Sequence, residues 1–540
     1  MDKKRNILVT SALPYSNGDL HLGHLIEYLQ TDIWVRFQKM QGNSCFYFCA
    51  DDTHGTPIMI SARKEKIDPT EMVERNQKKH LEDFKRFGID FTHYGSTNCS
   101  ENRELSHFFF EKIKEKGHIS LRDVEQSYCE KDAMFLPDRF VKGQCPFCKA
   151  DDQYGDCCEI CGRTYTPEEI INPRCIQCGS KPIFKKSQHI FFELNHFKDF
   201  LKKWINSCLD EEIVNKLLEW FKEDLRAWDI SRDEPYFGFE IPGHPGKYFY
   251  VWLDAPIGYI ASSQQWAKKN NFDYRDFWKG DQFEIHHFIG KDIVYFHSLF
   301  WPAMLNCVEF NLPKKIHIHG FLTFNGEKLS KSRGNIIGVS RFADLIEPEY
   351  LRYYYACRIN NSVNDIDFST DDFMLKINSE LVGKIINLFS RSVQMIHKKN
   401  SSQLTTMSEE GLGILKSWQT KKIIIKGLFE KCEFSKVMLE IREMAETANR
   451  YLDQKAPWKI WNDQQELATS TLCDVINFAR IIAIYLTPIM PKMCEKIAKI
   501  FNEKPYTFEI TETTIEKITL GEYIYLGKPV EKEQLEKLLA

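Results

Sequence analysis

No apolar run in these 540 residues approaches the length needed to span a bilayer, and the N-terminus lacks the apolar core and small-residue cleavage site of a signal peptide. Met1-Asp2-Lys3-Lys4-Arg5 passes at once into a short strand-like segment, Ile7-Leu8-Val9-Thr10. A cytoplasmic protein with no membrane partner is the expectation. Internal repeats and low-complexity tracts are also missing, which argues against a solenoid or a long linker. Positive charge is not in excess either: 72 Lys and Arg against 76 Asp and Glu leave a net charge of −4. The chain as a whole therefore lacks the basic signature of a non-specific nucleic-acid binder, and any RNA contact must rest on local patches.

What is present is the balance of a globular protein, with 43% hydrophobic and 27% charged residues. The length exceeds a single hydrophobic core and calls for roughly three or four units. Several of the 17 cysteines stand in Cys-x-x-Cys pairs and others in apolar strands, which fits reduced thiols and metal better than disulfides.

The chain opens as strand, turn-rich loop, helix, strand. Pro14, Asn17 and Gly18 turn the chain after Ile7–Thr10; Leu22, Leu25, Ile26, Leu29, Ile33, Trp34 and Phe37 then keep helical spacing to about Met40, before a second strand at Cys45–Ala50. This predicts a parallel βαβ unit. Turns, paired cysteines and charges take over near Val124–Ser187, as in an inserted module, and α/β patterns resume at Tyr248–Leu253, Ile285–Ile289 and Lys315–Phe321. From about Asp371 the pattern is helical, as in a bundle.

Pro14-Tyr15-Ser16-Asn17-Gly18-Asp19-Leu20-His21-Leu22-Gly23-His24 leaves a strand and enters a helix. Phosphates bind at such a place because free N–H groups and the positive helix end point at the ligand. His21 and His24 stand one turn apart and can face one anion, while Gly23 leaves room for a base or ribose. A lone His-x-x-His reads more simply as two surface histidines. Far downstream, Asn325-Gly326-Glu327-Lys328-Leu329-Ser330-Lys331-Ser332-Arg333-Gly334-Asn335 follows the strand containing His317 and His319. By itself it is a solvated basic loop; with the first segment it becomes a loop that folds over a triphosphate.

Together these segments resemble the two signatures, HIGH and KMSKS, of the class I aminoacyl-tRNA synthetases. Here they read His-Leu-Gly-His and Lys-Leu-Ser-Lys-Ser, each departing at one apolar position without loss of a phosphate-binding group. The segments Ala12-Leu13-Pro14-Tyr15, Asp51–Pro57, Trp252–Tyr259 and Gly290–His297 look like motifs of the methionyl-tRNA synthetases, and that resemblance covers nearly the whole chain. It implies an ATP-dependent ligase that activates L-methionine to methionyl-adenylate and pyrophosphate, then esterifies the 3′-terminal adenosine of initiator and elongator tRNA(Met), with Mg2+ accompanying ATP. It further implies a Rossmann-type parallel-sheet catalytic domain (1–120 and 236–320) interrupted by a zinc-knuckle insertion (121–235), a KLSKS and stem-contact region (321–370) and an all-α anticodon-binding bundle (371–540).

By the same resemblance, His21, His24, Lys328 and Lys331 serve catalysis, and Gly23, Gly290, Asp292 and Lys331 contact ATP. Methionine is expected among Ala12, Leu13, Tyr15, Asp52, Trp252, Ala255, Pro256, Tyr259, Ile293 and His297. The chemistry agrees: a thioether suits a polarisable, aromatic wall, and Asp52 suits the α-ammonium. Asn387, Arg391, Pro457 and Trp458 resemble the anticodon readers, where unstacked bases meet aromatic rings and hydrogen-bonding edges.

Cys145-Pro-Phe-Cys148 and Cys158-Glu-Ile-Cys161 are two hooks nine residues apart, suited to one closed tetrahedral zinc of structural type. A third hook, Cys175-Ile-Gln-Cys178, lacks an evident partner; Cys129, Cys157 and His189 are candidates for a second zinc. The short insertion leaves no room for a large editing domain, and no extra C-terminal dimerisation domain is evident, so a monomer is expected. Rival readings are a class I enzyme for another amino acid, a tRNA-independent nucleotidyltransferase, and a non-catalytic zinc-knuckle RNA-binding protein.

Overall fold

A computed structural model describes residues 4–137, 140–155, 158, 160–161, 163, 165, 168–328 and 336–539. Five parallel strands form the central sheet: β1 (Asn6–Ser11), β2 (Ser44–Asp51), β3 (His93–Ser96), β4 (Glu284–Gly290) and β5 (Lys315–His319), in the order β5-β4-β1-β2-β3. The order reverses between β1 and β4, leaving a crevice beyond their carboxyl ends, where open α/β sheets bind ligands.

β1 is a continuous apolar run because both sheet faces are covered. Ile7 and Val9 pack with the crossover helix α1 (Leu22–Met40), whereas Leu8 packs on the other side with Phe109, Phe110 and Ile257. Those last residues come from the helix Ser100–Glu115 and from α2 (Val251–Lys269). α1 even buries Glu27, Gln30, Asp32 and Gln38, because the sheet covers one of its sides and the helical region the other. The fully buried Arg352 ties the two regions, with Nη2 2.7 Å from Asp32 Oδ2 and Nε donating to the Ile489 carbonyl. The expected segment Tyr248–Leu253 divides: Lys247–Phe249 is a short strand, and α2 starts two residues later. Its register is set by pairing with Ser231–Asp233, a contact distant enough to escape local periodicity.

The insertion stands on a long antiparallel ladder, Ile119–Cys129 against Ile183–Phe192. Beyond it, a small three-stranded sheet, with Val141–Gln144 between Gln153–Tyr154 and Ile171–Cys175, carries the cysteines. After β5, Leu322–Phe324 pairs with Glu327–Lys328 and with Ile366–Phe368. From Thr370 onward the regular elements are helical, and the helix Gln465–Leu486 runs through the middle of the bundle. It corrects one expectation, since by length and composition it could cross a membrane; 89% of its most apolar stretch is buried in the bundle, which accounts for the hydropathy.

Candidate active site

A cavity of about 840 Å³ opens at the switch point, and the residues that converge there come from α1, α2, the loops that follow β1 and β2, and the carboxyl ends of β4 and β5. Every expected contact of ATP or methionine outside the second signature lines it: Ala12, Leu13, Tyr15, His21, Gly23, His24, Asp52, Trp252, Ala255, Pro256, Tyr259, Gly290, Asp292, Ile293 and His297. Lys331 lies outside the described residues, as does the side chain of Lys328, whose backbone closes the strand Glu327–Lys328.

His21 is the extended residue that starts α1; its N–H donates to His24 Nδ1 at 3.1 Å, and the two imidazoles stack with centroids 3.8 Å apart. Both rings thus sit at the positive end of a 19-residue helix. The segment that follows the second signature returns to this same point. Leu22 N–H donates to the Ile337 carbonyl and Val339 N–H to the Leu20 carbonyl, both at 3.0 Å, so His21 pairs with Gly338. A Cβ on Gly290 would come within 2.7 Å of Asp292 Oδ1, which favours glycine at the end of β4.

On the side of Tyr15 and Asp52 the loop after β1 continues the sheet: Ser16 N–H donates to the Asp52 carbonyl at 2.8 Å and Asp52 N–H to the Pro14 carbonyl at 2.9 Å. Tyr15 and Asp52 are thereby fixed side by side. Asp52 Oδ1 is buried with no protein partner among the described residues. Burial, reinforced by Asp254, holds this carboxyl well above its ordinary range. An acid in this state answers an incoming cation. Tyr259 Oη lies 2.9 Å from His297 Nε2, whose Nδ1 lies 3.1 Å from the Ile293 carbonyl; burial lowers the imidazole to about 4. Trp252 stacks on Phe296 with rings 4.2 Å apart. These four rings therefore form an aromatic stretch of the wall.

Sequence reasoning missed Glu27, Tyr28 and His319. Glu27 Oε1 accepts the Ala12 N–H at 2.8 Å, Glu27 Oε2 meets His319 Nε2 at 2.7 Å, and Tyr28 Oη donates to the Ala12 carbonyl at 2.9 Å. All three line the cavity. The available signal was Glu27 itself, a charge placed one turn after His24 within an otherwise apolar stretch.

Away from the cavity, the Cys145, Cys148, Cys158 and Cys161 sulfurs all lie within 4.8 Å of one another. Amide N–H groups of Cys148 and Cys161 point at the sulfurs of Cys145 and Cys158, as thiolates require. A second set, Cys129, Asp132, Cys175 and Cys178, is equally close. Of the candidates for the third hook, Cys129 joins it, Cys157 lies outside the described residues, and His189 is turned away to Asp229 and Asp233 at 2.8 and 2.9 Å. The hairpin Tyr128–Phe135 brings Asp132 in, a contact that Cys-x-x-Cys spacing could not announce. In the helical region Asn387 and Arg391 lie one turn apart on the helix Asn387–Lys399, and the Arg391 guanidinium sits 5.2 Å above the ring of Trp458, which is 40% exposed. Ala456, with φ of 40°, ends one helix, and Pro457, buried, begins the next.

Two family models match the chain: the class I tRNA synthetases of the methionine type over residues 7–393, and the anticodon-binding domain of methionyl-tRNA ligase over 405–528. The methionine–tRNA ligase of Bdellovibrio bacteriovorus is 46% identical over 540 residues, covering 100% of this chain and 79% of the relative. That of Leptospira interrogans is 46% identical over 579 residues, covering 99% and 81%. Among solved structures, methionyl-tRNA synthetase of Mycobacterium tuberculosis in complex with methionyl-adenylate matches in fold with a TM-score of 0.80 at 22% identity, over 97% of this chain and 99% of that one. The cavity at the switch point, the helical bundle and these full-length likenesses agree, and the chain belongs to the methionyl-tRNA synthetases, the class I enzymes that ligate methionine to tRNA.

Proposed function

We propose that the cavity holds methionine and ATP side by side, with the amino acid against Tyr15, Trp252, Tyr259 and His297 and the triphosphate at the start of α1. The observation that carries this reading is the pairing, in one cavity, of the Asp52 carboxyl, whose buried Oδ1 has no partner among the described residues, with the two imidazoles at a helix N-terminus. Asp52 takes the α-ammonium. Ala12, Leu13, Ala255, Pro256 and Ile293 shape the apolar pocket, and Gly23, Gly290 and Asp292 receive the nucleoside. The methionine carboxylate attacks the α-phosphorus in line, a P–O bond forms, and the bond to pyrophosphate breaks. His21, His24, Lys328 and Lys331 meet the charge that grows on the phosphates. Mg2+ accompanying ATP would share that charge. A ribose hydroxyl of the 3′-terminal adenosine of tRNA(Met) then attacks the activated carbonyl, and AMP leaves. Asn387, Arg391, Pro457 and Trp458 read the anticodon at the far end.

The two cysteine clusters would hold zinc, one with four thiolates and one with three thiolates and a carboxylate, and both would act on folding because neither leaves a position for substrate. The unit boundaries given above (120/121, 235/236, 320/321 and 370/371), a monomeric state and a cytoplasmic location complete this reading.

Methionine-dependent exchange of pyrophosphate into ATP tests it. Lys331→Ala is expected to slow exchange by about 2–4 kcal/mol in the transition state with methionine binding retained. Near-normal exchange in that variant would remove Lys331 from the mechanism, and exchange stimulated equally by another amino acid would overturn the methionine pocket.

A further inference from the structure

Behind the cavity, and lining none of it, runs the helix Pro69–Arg86. Asn76, His80 and Asp83 recur on one of its faces and are all buried. Asn76 Nδ2 donates to the Ser16 carbonyl at 2.8 Å, and His80 Nε2 lies 2.9 Å from the Gly18 carbonyl. These two contacts hold the loop that ends at His21. One turn on, Asp83 Oδ1 accepts the Ser340 hydroxyl at 2.7 Å, and Arg86 Nη2 meets Asp344 at 2.6 Å. Ser340 and Asp344 belong to the helix Val339–Leu345, which begins four residues after the second signature loop. A single helix therefore holds both the loop that leads into the first signature and the helix that follows the second.

Asp51, at the end of β2, is the hub of the grip. Its Oδ2 accepts the Ser16 hydroxyl at 3.0 Å, its carboxylate lies 3.0 Å from His80 Nδ1, and Tyr94 Oη donates to it. Both nitrogens of His80 consequently face acceptors, a carboxylate and a carbonyl, and satisfying both requires both ring protons. Burial pulls this imidazole down, but Asp51, the Gly18 carbonyl and Asp83 together outweigh it and the net shift is upward. A buried imidazolium–carboxylate pair of this kind is costly to break, so it fixes geometry.

We propose that the helix Pro69–Arg86 is a brace for adenylate formation, in which His80 and Asp83 are positioning residues that keep the loop before His21 in register with the helix Val339–Leu345. The inference rests on the placement of ATP phosphates at His21 and His24. Neither residue touches substrate. They act through the loop 14–20 on one side and Ser340 on the other, where a displacement of about 1 Å at a reacting group costs on the order of 10²-fold in rate.

The test measures pyrophosphate exchange, both KM values and Tm for His80→Gln, Ser340→Ala, their combination, and His21→Asn as reference. His80→Gln is expected to lower kcat/KM for ATP by on the order of 10²-fold, with the methionine KM unchanged. Ser340→Ala is expected to act in the same direction, by about 10-fold, and the double variant to lose less than the product, because both act on one element. In the parent enzyme the ATP KM should rise as pH passes upward through the His80 value. The titratable groups that face this ring are Asp51 from β2, with Tyr94 from β3 behind it, and Asp83 on its own helix. A His80→Gln enzyme with a lowered Tm but unaltered kinetics would reduce His80 to a structural role and overturn the brace, as would effects that multiply independently. Should His80→Gln fail to fold, Asp83→Asn with Ser340→Ala carries the same comparison. If His21→Asn leaves the ATP parameters intact, the placement of the nucleotide fails and the brace with it; a crippled His21→Asn beside kinetically normal His80 and Ser340 variants sinks the brace alone.

Discussion

Tyr259 and His297 fix one another: the phenol lies 2.9 Å from Nε2, and Nδ1 lies 3.1 Å from the Ile293 carbonyl. A carbonyl can only accept, so Nδ1 carries the proton and Nε2 takes the tyrosine hydrogen bond. The imidazole is neutral. Burial lowers it from 6.5 to about 4, so the unfolded chain binds a proton there that the native one does not. Stability should consequently fall as pH drops from 6.5 toward 4. His297→Asn is expected to flatten that part of the stability curve and to raise the methionine KM. Denaturation followed at several pH values checks the first effect and exchange kinetics the second; an unchanged acid limb would mean that His297 is already protonated in the native state.

Asp52 gives a proton-linked signature. Burial, with help from Asp254, keeps its carboxyl raised in the empty cavity, and an ammonium alongside would draw it back to the ionised form. Methionine binding should release protons and tighten as pH climbs through the Asp52 value. Asp52→Asn should abolish that linkage and weaken binding by about 2–5 kcal/mol. Calorimetry in two buffers of different ionisation enthalpy measures the release; proton-neutral binding would separate Asp52 from the ammonium.

Two closed donor sets lead to an expected content of two zinc ions per chain. Cys145→Ser should leave one and disorder the small sheet of the insertion. Asp132→Ala should loosen the other, because three thiolates remain without the fourth donor. Elemental analysis beside thermal melts reads both. A Cys145→Ser protein that has lost metal but keeps its Tm and its aminoacylation rate would refute a structural role.

Trp458, 40% exposed under the Arg391 guanidinium, is presented to solvent and is not held in the bundle core. Trp458→Ala should lose about 1–3 kcal/mol of tRNA recognition and leave methionine activation intact. Aminoacylation at limiting tRNA, pyrophosphate exchange and Tm on one preparation give the answer. Equal loss in both reactions with a lower Tm would point to packing, and unaltered aminoacylation would end the anticodon role.

The sequence by itself determined the parallel βαβ start, the helix from His21 to Met40, the cysteine hooks and the order of the two signatures. Each of these is written in local spacing: an apolar run for a doubly covered strand, a period of 3.6 for a helix, Cys-x-x-Cys for a knuckle. Resemblance then supplied the residues of the cavity, four separated segments that no periodicity connects.

Tertiary structure alone decided which distant groups meet. Asp132 joins the second cysteine set through a hairpin, Glu27 reaches His319 across 292 positions, and His80 reaches the Gly18 carbonyl across 62. The apolar helix Gln465–Leu486 likewise declares itself a bundle core only once its neighbours cover it. The physical reason is common to the three polar contacts. A buried polar or ionic contact is fixed by the sheet order and helix packing that bring two backbones together, and a one-residue change of register would abolish it while leaving every local pattern of the sequence intact.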